Sequence, residues 1–245
     1  IPSSLVGSEM CIRDRLHLLD YAPDHPLRST AKKAIEKLVV EQDDEAYCQP
    51  CVSPIWDTGL ACLALQETQD EKALKASKAG LDWLLPLQVT DEPGDWRENA
   101  PGVPGGGWPF QYANPHYPDL DDTAVIVWAM EAANDPLPYS EAITRSADWL
   151  SGMQSSNGGF AAFDADNTYY YLNEIPFADH GALLDPPTAD VSARVLAILG
   201  RLNRTQDEKI RERCLIYLQR EQESNGSWFG RWGTNYIYGT WSVLS

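Results

Sequence analysis

The apolar positions of this chain fall into alternating blocks of two kinds. Residues 60–65, 124–130 and 193–199 are almost unbroken runs of Ala, Leu, Val and Ile, which leave a helix no polar face and predict burial all round. Residues 72–85, 140–153 and 207–218 instead carry charges on one side and apolar residues on the other at helical spacing, as a helix on the outside of a packed layer does. A repeat runs through both. Trp83-Leu84 with Gln88, Trp149-Leu150 with Gln154 and Tyr217-Leu218 with Gln222 each lead on to glycine and an aromatic, at Gly94-Asp95-Trp96, Gly158-Gly159-Phe160 and Gly226-Ser227-Trp228. The glutamines lie 66 and 68 residues apart. The inner blocks open on Asp57-Thr58, Asp122-Thr123 and Asp190-Val191-Ser192, acid and hydroxyl signals for a helix start. Two helices per repeat at this period predict an all-α fold, an open solenoid or a closed α/α toroid, and inner helices buried all round fit the toroid. Each Gln is expected to bond the backbone at a neighbouring helix end, with the aromatic stacked on it.

Among these starts, Asp119-Leu120-Asp121-Asp122-Thr123-Ala124 is chemically unusual. Three carboxylates precede Val125-Ile126-Val127-Trp128-Ala129-Met130 and follow Gly105-Gly106-Gly107-Trp108-Pro109-Phe110-Gln111-Tyr112. Asp is common at helix caps, where it accepts backbone N–H bonds, so a solvated cap is the plain alternative. A glycine run that permits close backbone approach, with Trp108, Phe110, Tyr112 and Tyr117 within a dozen positions, points to a sheltered site instead. Three carboxylates there do not all ionise, because repulsion and desolvation both favour the neutral form of at least one. The cluster reads as an acid built to protonate something apolar.

A formal charge of −17 over 245 residues argues against a nucleic-acid partner. No stretch approaches the roughly 18 uninterrupted apolar residues of a membrane span. The five cysteines, Cys11, Cys48, Cys51, Cys62 and Cys214, are an odd and scattered set that fits reduced thiols. Cys48-Gln49-Pro50-Cys51 has C-x-x-C spacing but no second ligand pair, so no metal is expected. Residues 1–15 look foreign to the rest, like translated adaptor sequence, and residues 16–245 are expected to form part of one catalytic α/α-barrel domain that continues beyond both ends.

With these residues in view the chain resembles the bacterial squalene–hopene cyclases of the class II terpene cyclase superfamily. The likeness rests on Cys51-Val52-Ser53-Pro54-Ile55-Trp56-Asp57-Thr58, on Gly106-Gly107-Trp108 through Ala124, on Gln154-Ser155-Ser156-Asn157-Gly158-Gly159, on Asp185-Pro186-Pro187-Thr188-Ala189-Asp190 and on Gly226-Ser227-Trp228-Phe229-Gly230-Arg231-Trp232-Gly233. It implies protonation of a terminal double bond of squalene and a cascade of ring closures through carbocations, ending in deprotonation or water capture to hopene- or hopanol-type products. Neither metal nor cofactor is implied, and the D-D-x-x-D pattern of ionising terpene synthases is absent. Asp121 matches the proton donor, with Asp119 and Asp122 setting its geometry and charge. The basic partner that follows Asp190 is Arg194, where many relatives carry His; an Arg that only bridges Asp190 or a carbonyl is the alternative. Trp56, Phe110, Phe163, Trp232 and Tyr238 match the cavity lining, where ring faces attract cations and exclude water.

Within the superfamily, oxidosqualene cyclases use a D-C-T-A acid segment that this chain lacks, whereas di- and sesquarterpene cyclases share D-x-D-D. An α/α-toroid glycosidase, with two acids on separate helices across an open polar cleft, is a second class. A helical-repeat interaction module, with the three Asp as exposed caps and no cavity, is a third. The resemblance also implies an intact enzyme bound peripherally to the lipid surface at the cytoplasmic face of the membrane, possible as a homodimer, and a 245-residue piece that is inactive by itself.

Overall fold

A computed structural model describes residues 19–37, 39–41, 45–48, 53–68, 70–91, 94–111, 114–174, 184–233 and 235–245. Residues 1–15 and 49–51, with most of the C-x-x-C stretch, lie outside them. The chain divides into two compact units. The smaller takes in residues 1–52 and 170–183. It holds helix α1 (Pro26–Glu36) and an antiparallel hairpin of β1 (Val39–Glu41) and β2 (Ala46–Cys48), in which Val40 faces Tyr47.

The larger unit, residues 53–169 and 184–245, carries the repeats. Its helices are α2 (Pro54–Gln66), α3 (Glu71–Leu84), α4 (Leu120–Glu131), α5 (Ser140–Gly152), α6 (Ala189–Leu202), α7 (Glu208–Glu221) and α8 (Asn235–Leu244). Inner helices α2, α4, α6 and α8 pack one on the next, while α3, α5 and α7 back α2, α4 and α6 from outside. That is the two-layer order expected of an α/α toroid. The all-α expectation holds apart from the hairpin and a two-residue ribbon of β3 (Trp108–Pro109) with β4 (Pro118–Asp119).

Burial explains why these segments are helices. α4 contains Val125, Ile126 and Val127, β-branched residues of modest helix propensity, yet all three are buried, and burial is worth about 1.5–3 kcal/mol for each such side chain. α3 is amphipathic: Ser77, Leu81 and Leu84 face inward, and Asp70 caps it by accepting the Ala73 N–H at 3.0 Å. Burial all round holds for α4 and most of α6 but not for α2, where Leu60 is exposed. Among the described inner helices α4 and α6 have extensive inner neighbours on both sides, whereas the extensive inner contact of α2 is with α4.

The glutamine ties to a neighbouring helix end are present for Gln88 and Gln154, with one correction, while Gln222 shows only the bond within its own turn. Gln154 Nε2 donates to Gly158 O and to Ile210 O in the first turn of α7. Gln222 likewise donates to Gly226 O. Gln88, however, bonds Gly106 O and Ala142 O, the latter in the first turn of α5, so its partner is Gly106-Gly107-Trp108 and not Gly94-Asp95-Trp96. Val89 pairs with Gly107 across the gap, and the residues between form an excursion whose Trp96 is buried edge-to-face against Trp149. Gly107 sits so close to Trp149 that an added Cβ would lie 2.7 Å from its ring.

A second tie recurs that the repeat alone does not reveal. Backbone N–H groups of Trp108, Phe160 and Trp228 donate to Thr123 Oγ1, Ser192 Oγ and Thr240 Oγ1, hydroxyls of the following inner helix, the first two in its first turn. Thr123 Oγ1 also donates to Asp119 O at 2.6 Å, so one buried hydroxyl fixes both the ribbon and the acid-bearing helix start. Thr123→Val preserves shape but orphans the buried Trp108 N–H. It should lower unfolding free energy by about 1–3 kcal/mol in urea titration, with Thr123→Ser close to wild type.

Candidate active site

Asp119 is the N-cap of α4. Its backbone is extended, and its Oδ1 accepts the N–H groups of Asp121 at 2.7 Å and Asp122 at 3.2 Å. The Leu120 N–H is received by Ala162 O at 2.8 Å, which ties the helix start to the segment carrying Phe163. That segment is itself held by Asp185, which accepts the N–H groups of Ala162, Phe163 and Asp164. The capping reading of the cluster is therefore correct for Asp119, but the cap is buried rather than solvated.

The three carboxylates divide their roles. Asp119 and Asp122 are buried side by side, and both are pushed well above the usual carboxylate range, first by desolvation and then by neighbouring acid charge. Two backbone N–H bonds favour the anion of Asp119. The Asp122 side chain faces that of Asp119, and this contact raises Asp122 further, so the pair favours holding a proton. Asp121 is pushed up to about 6: burial raises it most, Arg194 pulls it down, and Asp190 raises it again. The Asp119–Asp122 pair is thus the more firmly proton-holding, with Asp121 poised nearer neutrality.

Arg194 pairs with Asp121, Nε to Oδ1 at 2.7 Å, with side-chain exposures of 10 % and 14 %. It does not bridge Asp190. That carboxylate is occupied by backbone, taking the Val191 N–H on Oδ1 and the Trp232 N–H on Oδ2. Asp190 thereby pins Trp232 while its charge acts on Asp121.

A cavity of about 430 Å³ opens beside the acids. Its wall includes Asp119, Asp121 and Asp122 with Trp56, Phe110, Phe163, Trp232 and Tyr238, all five aromatics singled out in the sequence. Phe163 and Trp232 meet edge-to-face at 6.5 Å. Gln111, Asn114, Tyr117 and Ala162 also line it and were not anticipated as lining. Tyr117 and Gln111 lay within the quoted aromatic stretch, but nothing in the spacing separates a residue facing the cavity from one facing away. An acid that is neutral near pH 6, seated in an aromatic-walled hollow with one fixed cation behind it, is suited to delivering a proton to a very weak apolar base.

Residues 52–245 match the family model of the squalene–hopene cyclase C-terminal domain. The chain belongs to the squalene–hopene cyclase family. It is 57% identical over 226 residues to the probable squalene–hopene cyclase of Sinorhizobium fredii, covering 90% of this chain and 35% of that relative. It is 44% identical over 237 residues to the squalene–hopene cyclase of Alicyclobacillus acidocaldarius, covering 94% and 37%. The chain thus spans about a third of the length of these relatives. Among solved structures, the type II terpene cyclase MstE from Scytonema superposes with a TM-score of 0.51 at 20% identity, over 83% of this chain and 50% of that one. That likeness carries the α/α fold of the family.

The charge arrangement predicts a stability signature. A raised pKa means that the folded protein holds a proton the unfolded chain has released, so stability falls as pH rises from about 4 through the raised values of the Asp119–Asp122 pair. Asp122→Asn keeps a neutral hydrogen-bonding group there and removes that loss. Its melting temperature relative to wild type should therefore climb steadily between pH 6 and pH 9, a trend absent if the pair ionises normally.

Proposed function

We propose that this chain supplies the initiating acid and the adjoining cavity wall of a class II triterpene cyclase acting on squalene. The observation that carries the reading is the buried Asp121 beside a ring-lined cavity, backed by Arg194 at 2.7 Å. In the first step the O–H bond of Asp121 breaks and a C–H bond forms at the terminal double bond. A tertiary carbocation and the Asp121 carboxylate result. Arg194 stabilises that new anion, and the rings of Trp56, Phe110, Phe163 and Trp232 stabilise positive charge by about 2 kcal/mol or more each where desolvated. Each ring closure then turns a π bond into a σ bond and moves the cation along the chain. Loss of a proton, or capture of water followed by loss of a proton, ends the cascade at hopene- or hopanol-type pentacycles. The proton is thereby returned.

Hydrocarbon filling the cavity removes water from around Asp121 and raises its pKa further, so the substrate itself favours the protonated acid. A guanidinium does not shuttle protons, so Asp121 is reprotonated through water. A glycosidase is disfavoured because its second acid is missing: Asp190, on the separate helix α6, has both oxygens engaged by backbone amides. Squalene is insoluble in water, and we take the intact protein to collect it at the lipid surface of the cytoplasmic face.

The test is a hybrid in which this chain replaces the matching segment of the Sinorhizobium fredii relative, incubated with squalene and read by gas chromatography and mass spectrometry. Wild type should yield a pentacyclic triterpene, and Asp121→Asn should lose roughly 10³-fold or more of that turnover while melting normally. Equal turnover by both would remove Asp121 from the chemistry. In the wild-type hybrid, turnover without excess substrate should decline with one alkaline limb at or somewhat above pH 6, as the acid ionises.

A further inference from the structure

Arg194 is enclosed more completely than an ion pair requires. Its guanidinium carbon lies 5.3 Å from the Trp56 ring of α2, 5.8 Å from the Tyr238 ring and 5.9 Å from the Trp241 ring, the last two on α8. Tyr238 and Trp241 are three residues apart on α8, hence on one face, with ring centres 6.0 Å apart. Nη2 is committed to Tyr238 Oη at 2.7 Å, while Nε makes the close contact with Asp121. The guanidinium is therefore held by one hydrogen bond and surrounded by three aromatic rings within 6 Å of its carbon.

This orientation matters to an acid that must be neutral before it acts. Guanidinium and carboxylate prefer two parallel N–H···O bonds, an arrangement that stabilises the anion strongly. With Nη2 on Tyr238 instead of on the second oxygen of Asp121, the pair is held short of that fork.

We propose that Trp241 is a positioning residue for the initiating acid: together with Trp56 and Tyr238 it holds the Arg194 guanidinium in the orientation that keeps Nη2 off Asp121. This rests on the function proposed above for Asp121. Trp241 does not line the cavity, so its effect runs through Arg194. The other titratable groups around the pair are Asp119 and Asp122 of α4, Asp190 of α6 and Tyr238 of α8; α2 brings the Trp56 ring, and α7, also packed on α6, brings Cys214 to Ser192 O. Among the described residues, the carboxylate that Arg194 is shown to contact is that of Asp121.

The test compares Trp241→Leu, which keeps apolar bulk without a ring face, with Trp241→Phe, which keeps the face, in the hybrid protein. Losing the ring lets the guanidinium fork both Asp121 oxygens, which stabilises the anion and lowers the fraction of neutral acid. Trp241→Leu should lower kcat roughly three- to tenfold at pH 7 with KM little changed, and move the alkaline limb of kcat down by roughly half a unit to one unit. Trp241→Phe should stay close to wild type in both. Wild-type kcat and limb in Trp241→Leu, or equal impairment in both variants, overturns the proposal. Should Trp241→Leu fail to fold, Trp241→Met, unbranched and ringless, takes its place under the same criteria. A ¹³C NMR titration of the Asp121 carboxyl in the same proteins reads the cage without turnover. A lower pKa in the ringless variant supports it even if squalene proves not to be the substrate, and an unchanged pKa overturns it.

Discussion

In three of the four described inner helices a hydroxyl receives the backbone N–H of the glycine-aromatic segment before it, and in α4 and α6, where it stands on the fourth residue, this bond sets where the helix begins. Trp108 with Thr123, Phe160 with Ser192 and Trp228 with Thr240 are the same contact made three times. Since the pairing atoms are buried in the first two cases, a slip of one residue would leave an unpaired amide, at a cost of about 1–3 kcal/mol. The acids depend on that register. Asp119, Asp121 and Asp122 precede Thr123 directly, and Asp190 stands two residues before Ser192, so the bonds that order the fold also aim its carboxylates.

Given that register, the chemistry follows from unequal surroundings of equal groups. Asp119 is spent on the helix cap, Asp122 forms a proton-holding pair with it, and Asp190 is spent on the amides of Val191 and Trp232. Asp121 alone combines a cavity face with a cationic partner. Burial pushes it up and Arg194 pulls it back, and the balance leaves an acid that is neutral at mildly acidic pH yet has a stabilised anion waiting. Either influence alone would fail: burial without Arg194 would make the anion too costly to form, and a full fork without burial would ionise the acid beforehand.

Much of this was legible in the sequence, for a physical reason. Helical periodicity reports which side of a segment is buried, and the acid cluster lies within a few residues of its own helix start, so both are local signals. The pairing of Gln88 is not local. The excursion from 89 to 105 places a second glycine-aromatic pair, Gly94 with Trp96, nearer in sequence than the true partner Gly106-Gly107-Trp108, and only the Val89–Gly107 bridge reveals which one closes the repeat. Arg194 shows the same limit. Its spacing of four from Asp190 on one helix suggests an ordinary i,i+4 pair, yet backbone amides had already taken that carboxylate, and the guanidinium crosses to α4. Gln111, Asn114 and Tyr117 line the cavity from a loop, where no periodicity tells inward from outward.

In the proposed reaction, an arginine in place of a titratable base changes how the proton cycle must close. Histidine could accept and return a proton, whereas a guanidinium stays charged through the whole cycle. Its constant charge favours the Asp121 anion both after proton transfer, where that helps, and before it, where it hinders. The hindrance is offset in part by the like charge of Asp190 and by desolvation. What remains depends on geometry, because one N–H contact stabilises a carboxylate less than two. Tyr238 contributes on that account: its oxygen accepts from Nη2, and burial with the nearby Asp121 charge holds its own proton on, up to about 12. A neutral tyrosine that accepts a hydrogen bond from the arginine draws a donor away from the acid without adding charge, which is how a permanently charged partner remains compatible with an acid that has to begin neutral.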